Sequence, residues 1–164
     1  MMQTREKARL ATIALGFIMA MQSSAQLNAD TGNGMIAIES SHDVTTTIDR
    51  LHSILDEKGM TIFKRVDHTA GANRVGIELR PTELLIFGNP KVGTPLMHCS
   101  QTIALDLPQK ALAYQDEQGK VWLVYNDPVY LASRHGISNC DKPLQKVSKA
   151  LGNFARFATM AESK

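Results

Sequence analysis

Apolar residues recur along this chain with two different periods, and the change from one to the other marks out its elements. Val44, Ile48, Leu51 and Leu55 fall at spacings of 4, 3 and 4, which is one face of an α-helix. Ser41 or Asp43 can cap its first amides, and Gly59 stands where a left-handed residue would end it. Leu144, Val147, Leu151, Phe154 and Phe157 repeat the pattern and predict a second helix from Pro143 to about Thr159. Between the two, the chain reads as strands: Met35 to Glu39 (MIAIE), Met60 to Val66 (MTIFKRV) and Glu83 to Phe87 (ELLIF). The last is a continuous apolar run between Pro81-Thr82 and Gly88-Asn89-Pro90, suited to a buried strand. Lys110 to Gln115 and Val121 to Tyr125 flank the polar DEQGK, as the arms of a hairpin do. Thr94-Pro95, a cap followed by a first-turn proline, predicts the start of a shorter helix. Asn126-Asp127-Pro128 should end the last strand and open a turn or short helix through Tyr130 to Arg134, with Asp127 or Asn126 as its cap.

The order is therefore β-α-β-β-(short α)-β-β-α. Strands that follow one another through turns favour antiparallel pairing, and each long helix has one apolar face that needs covering. The expectation is a two-layer α+β domain, with a mainly antiparallel sheet of four to five strands packed by two long helices.

The first 25 residues follow another logic. Met1 to Arg9 is short and cationic, Leu10 to Met21 is a nearly unbroken apolar run of 12, and Ser23-Ser24-Ala25 supplies small residues at a peptidase site. A membrane span takes about 20 apolar residues, so a cleaved secretory leader (1–25) is favoured over an anchor, and no stable membrane insertion is expected after cleavage. Gln26 to Gly34 (QLNADTGNG) is polar and aperiodic and reads as a flexible linker, leaving one domain over 35–160. The expected location is the periplasm or the secreted fraction. Beyond residue 25 the chain has 15 bases against 15 acids and no basic block, which argues against nucleic acid as a partner.

The candidate chemistry is sparse. Gly88-Asn89-Pro90-Lys91-Val92-Gly93-Thr94 joins a buried strand to a helix start, where free amides, the helix dipole and Lys91 would attract a small anion; a rigid turn explains the same residues. The spacing is not that of a nucleotide-binding Walker loop. His68, beside Asp67 and before the small residues Ala70-Gly71-Ala72, is a candidate acid, base or ligand, or a histidine bonded to backbone at a strand end. Asn126 and Asp127 are turn starters whose polar ends would line a cleft with His68 and Lys91 if the fold brings them together. No nucleophile elbow and no His-Glu-x-x-His pair occurs, so hydrolase chemistry lacks its parts. Cys99 and Cys140 in an exported chain are expected as a disulfide, with free thiols or a metal site as alternatives; neither a metal nor a cofactor is assigned.

Four stretches together, Asp67 to Ala72 (DHTAGA), Leu79 to Met97 (LRPTELLIFGNPKVGTPLM), Ala104 to Pro108 (ALDLP) and Tyr125 to Leu131 (YNDPVYL), resemble the family called domain of unknown function 302. The likeness runs from about Met35 to Phe157, and its most specific piece is G-N-P-K-x-G-T. It implies a compact fold of the β-α-β(4)-α kind and transfers no activity, substrate or catalytic residue. His98-Cys99 and Cys140 depart from the family's pattern. The functional expectation is a non-catalytic exported domain that binds a small ligand, an anionic one among the candidates, or a protein partner in the cell envelope. Two alternatives stand beside it: an enzyme or metal-dependent redox accessory built on His68, Lys91, Asn126 and Asp127, and a homo-oligomeric interaction module.

Overall fold

The computed structural model describes residues 29–30 and 32–161; the cationic and apolar stretch read as a leader lies outside the described residues. The chain runs β1 (Ala29–Asp30), β2 (Met35–Ser40), α1 (Val44–Glu57), β3 (Thr61–Asp67), α2 (His68–Arg74), β4 (Thr82–Gly88), α3 (Pro90–Cys99), a 3-10 turn (Gln101–Leu105), β5 (Gln109–Gln115), β6 (Val121–Asn126), α4 (Pro128–Arg134) and α5 (Asp141–Thr159). The strands form one sheet in the order β1-β2-β6-β5-β4-β3, antiparallel throughout. The α+β class and antiparallel sheet are thus as the sequence predicts, with a two-residue edge strand added outside five full ones. That edge strand falls in the stretch expected to be a linker, where the Gly34 carbonyl also accepts a hydrogen bond from the Asp127 amide.

Both long helices pack on one face of the sheet. Val44, Ile48, Leu51 and Leu55 of α1 and Val147, Leu151, Ala155 and Ala158 of α5 close over Ile38, Leu85, Phe87, Ala111, Ala113, Leu123 and Tyr125, the inward set of alternating strand positions. Asp43 caps α1 by accepting from the Thr46 amide at 2.7 Å, and Gly59, at φ +66°, turns the chain out of the helix where a side chain would be strained. Beneath α1 the buried Glu83 is held by Thr45 Oγ1 at 2.7 Å and Arg65 Nε at 2.6 Å, while Arg65 also bonds Asp49; an inward carboxylate is tolerable only with such partners. The other face of the sheet, pointing away from both long helices, carries Leu84, Ile86, Leu112, Tyr114, Trp122 and Val124. Phe157, read as part of the apolar face of α5, is instead exposed, with Arg50 5.2 Å above its ring. Ala155, Ala158 and Thr159 take the buried side of these last turns, and Phe157 falls beside it, outside the core.

Two starts differ from the sequence reading. The short helix α3 begins at Pro90, not at Thr94-Pro95, because Asn89 takes the capping role and Pro95 is absorbed into the helix. The last helix begins at Asp141, two residues earlier than Pro143.

Candidate functional site

The expected polar cleft does not assemble. His68 opens α2 at the end of β3 and is exposed, whereas Lys91 follows the far end of the antiparallel partner β4. Seven residues of strand separate those ends by roughly 20 Å. Asn126 and Asp127 lie at the Lys91 end of the sheet, but on β6, with β5 between β6 and β4. Asp67 is occupied in capping α2 through the Ala70 amide, and Asp127 in capping α4 through the Val129 amide at 2.9 Å.

The loop Gly88 to Thr94 is not an open anion site either. Asn89 Oδ1 accepts from the Lys91 amide at 2.9 Å, the Val92 and Gly93 amides both donate to the Asn89 carbonyl, and Pro90 has no N–H. A helix start whose donors are taken has nothing left to offer an anion. Asn89 Nδ2 donates in turn to the Gly59 carbonyl at 3.1 Å, so the residue ties the start of α3 to the end of α1.

What these residues do build is a wall. Gly88, Asn89, Gly93 and Thr94 join Met60, Phe63, Val92, Leu96, Met97, Leu107, Pro108, Val147, Ala150, Leu151 and Phe154 around a cavity of about 460 Å³. The sheet supplies its floor through the end of β4 and the start of β5, with α3 on one side and α5 on the other. Gly88 has a local reason to be there: a Cβ on it would come within 3.3 Å of Pro108 and 3.4 Å of Phe63, which form the floor. Phe63 reaches this place through the irregularity in β3 between Ile62 and Lys64, where an extra residue changes which side chains face inward.

This cleft is mostly hydrocarbon. Gln109, the first residue of β5, lines it with a side chain that is 8 % exposed, and among the described residues its amide forms no side-chain hydrogen bond, while its polar atoms are not among those sealed from solvent. Lys58, at the mouth, pairs with Glu57 at 2.6 Å. The arrangement has the makeup of a small-molecule site: mostly apolar walls with a few polar groups that fix orientation. Sequence reasoning missed Gln109 because a glutamine beside Pro108 looks like loop, and only the strand register turns it inward.

Two further clusters come from residues remote in sequence. Cys99 at the end of α3 and Cys140 at the start of α5 stand 6.3 Å apart at Cα as a disulfide pair, as compartment and count led one to expect. Nearby, His135 Nε2 meets Asp106 Oδ2 at 2.6 Å and its Nδ1 meets Thr102 Oγ1 at 3.0 Å. The histidine side chain is 6 % exposed and lines neither cleft, so the network fastens the 3-10 turn to α4. Among the described residues, no group of three or more His, Cys, Asp or Glu is placed to hold a metal ion.

A second, more polar cleft lies across α5, lined by Ile36, Tyr125, Asp127, Ser148, Lys149, Gly152 and Arg156. Burial holds the Tyr125 hydroxyl above the ordinary phenol range, the Asp127 charge adds to the shift and Arg156 opposes it.

Comparison with known proteins agrees with this architecture. Proteins named Fluoride-specific ion channel FluC 1 from Brucella suis biovar 1 and Brucella abortus biovar 1 are each 46% identical to it over 127 residues. The match takes in 77% of this chain and 50% and 47% of theirs, so the chain spans about half the length of the curated relatives it matches. The crystal structure of an uncharacterized conserved protein DUF302 from Bacillus stearothermophilus aligns with a TM-score of 0.69 at 18% identity, over 77% of this chain and 98% of that one. At that identity the likeness shows the fold alone. Residues 36–154 match the family described as Domain of unknown function DUF302, from the second residue of β2 into α5, and the chain belongs to that family.

Proposed function

We propose that this protein is a non-catalytic binding domain of the cell envelope whose cleft between α3 and α5 takes a small hydrophobic molecule bearing one hydrogen-bonding group. The observation that carries the reading is the cavity of about 460 Å³, walled mostly by apolar side chains, with the side-chain amide of Gln109 on its surface and bonded to no described residue. Such a volume suits a ligand of drug or medium-chain lipid size. An amide with no protein partner is free to pair with a ligand hydroxyl or carbonyl, and that bond orients the ligand in an otherwise apolar cleft. The disulfide pair supports an oxidising compartment, in keeping with the leader read in the first 25 residues.

The reading is tested with a neutral fluorescent probe, N-phenyl-1-naphthylamine, displaced by 1-decanol or by decane. Decanol should compete better than decane on the native protein. Gln109→Leu should erase that preference, weakening decanol by about fivefold, the equivalent of one neutral hydrogen bond, while the probe binds as before or tighter. Equal competition by both compounds on both proteins would remove Gln109 from the site.

One observation favours a second reading, self-association through the sheet. Leu84, Ile86, Leu112, Tyr114, Trp122 and Val124 give the face away from the long helices an apolar stripe, and such stripes mark interaction surfaces. Sedimentation equilibrium on native protein and on Leu112→Glu separates the two: a dimer that the substitution dissociates supports the interface, and a monomer in both removes it. Fluoride conduction, which the names of two relatives carry, is not part of either reading. The chain spans half of those proteins, and no described helix is long and apolar enough to cross a membrane.

A further inference from the structure

Helix α5 separates two clefts of opposite character. Val147, Ala150, Leu151 and Phe154 line the apolar one. Ser148, Lys149, Gly152 and Arg156 line the other, of about 320 Å³, and at 100° per residue they project from the opposite side of the helix. Here the polar groups converge and are left unpaired. Tyr125 is 6 % exposed, yet its hydroxyl has no hydrogen-bond partner among the described residues. The Ser148 hydroxyl is buried and equally without a partner. Neither Lys149 nor Arg156 forms an ion pair among the described residues, and Arg156 spends only one hydrogen bond, on Asn153. The carboxylate in the cleft, Asp127, is committed to the Val129 amide as the cap of α4, so two cations face one engaged anion.

A buried hydroxyl is rarely left unmet in folded proteins, and that of Ser148, beside the Tyr125 hydroxyl and two cations outside any ion pair among the described residues, calls for a partner supplied from outside. We infer that this cleft is a binding site for a small oxyanion, a carboxylate or a phosphate, held by Lys149 and Arg156 and hydrogen-bonded by the hydroxyls of Tyr125 and Ser148. The chemistry fits both classes: a carboxylate has two oxygens with about four acceptor sites and a phosphate has more, enough for two cations and two hydroxyl donors at once. Gly152 keeps the middle of the helix face open, since a Cβ there would stand 3.9 Å from the Tyr125 hydroxyl. The site is independent of the apolar cleft, because α5 lies between them.

The test is a titration of the folded domain with sodium phosphate and, separately, sodium acetate, at constant ionic strength maintained with chloride, followed by amide chemical shifts and melting temperature. Saturable shifts clustered at Asp127, Ser148 and Gly152 with one or both salts are expected, and the salt that saturates at the lower concentration identifies the class. Arg156→Gln with Lys149→Gln should weaken binding by about tenfold or more, as loss of charge-assisted contacts does. Ser148→Ala is the variant that guards against misfolding. Removing an orphaned hydroxyl should leave the unliganded melting temperature unchanged or higher, yet weaken the anion. Lys91→Ala, whose side chain lies outside both clefts, should bind as the native protein does. Shifts that never saturate, or that are the same in native protein and in the double variant, would overturn the inference.

Discussion

Asp43 holds the first turn of α1 with its carboxylate, and the bond from the Thr46 amide keeps that carboxyl below the ordinary aspartate range. A lowered folded-state value means that the stabilisation is complete above the unfolded value and lost as pH falls through the folded one. The melting-temperature gap between native protein and Asp43→Ala should therefore be widest near neutrality and close as the solution is acidified below the usual carboxylate range. A gap that stays constant down to that acidity would show that Asp43 acts by shape and not by charge. The caps of α3 make a sharper test, because Asn89-Pro90 and Thr94-Pro95 are the same local signal written twice. From sequence alone Thr94 is as good a cap as Asn89; in the fold only Asn89 has both its Lys91 amide and the Gly59 carbonyl to bond. Asn89→Ala should cost about 1 kcal/mol in urea unfolding and Thr94→Ala less than about 0.5 kcal/mol, and the reverse order would put the helix start back at Thr94. Gln109 belongs to the same class of residue that sequence leaves undecided, since its burial depends on pairing with Phe87 across β4 and β5.

Among the elements, α1 and the hairpin were legible because their instructions are local. Val44, Ile48, Leu51 and Leu55 lie on one stripe whatever the rest of the chain does, and Asp116 organises its own turn by accepting from the Gln118 and Lys120 amides and from the Trp122 indole at 2.8 Å. Helix α2 was not legible. His68–Arg74 buries no residue, so it has no apolar period to read, and it exists because Asp67 caps it and Thr69 Oγ1 accepts the Thr82 amide at 2.9 Å. The link between α3 and α5 was readable only from the count of cysteines. Cys99 and Cys140 are 41 residues apart in sequence, and closing that loop in the unfolded chain is worth up to about 4 kcal/mol in the chain-entropy account. Reduction should lower the urea midpoint and steepen the slope, because the released 41-residue loop lets the unfolded chain expand. Unreduced, denatured protein that takes up two maleimides would show that the bond is absent. In the core that these helices share, Leu51→Ala and Leu151→Ala should each cost about 2 to 5 kcal/mol, because both side chains are buried at the seam of α1, α5 and the sheet.

At the scale of the molecule, the candidate binding surface is made by elements that no local pattern connects. The apolar cleft draws on the turn after α1, Phe63 of β3, the end of β4, much of α3, the start of β5 and the middle of α5. Read along the sequence, Val147, Leu151 and Phe154 are indistinguishable from core, and only the gap that α3 leaves beside α5 makes part of that stripe a wall. The motif that best marks the family, Gly88 to Thr94, reads from sequence either as an anion loop or as a rigid turn, and in the fold Asn89 is spent on structure and Gly88 is kept small for Phe63 and Pro108. On the proposed reading, binding therefore uses a hydrophobic opening between a short helix and a long one, with the charged groups on the other side of α5. The measurement that tests this most directly is a titration of N-phenyl-1-naphthylamine into native protein and Ala150→Trp, with melting temperatures recorded alongside. Native protein should bind one equivalent with a saturating rise in fluorescence, and Ala150→Trp, which fills the cavity from α5, should lose that binding while melting at the same temperature or higher. Saturable one-to-one binding that survives in the tryptophan variant, or no saturable binding to native protein at all, would contradict the account.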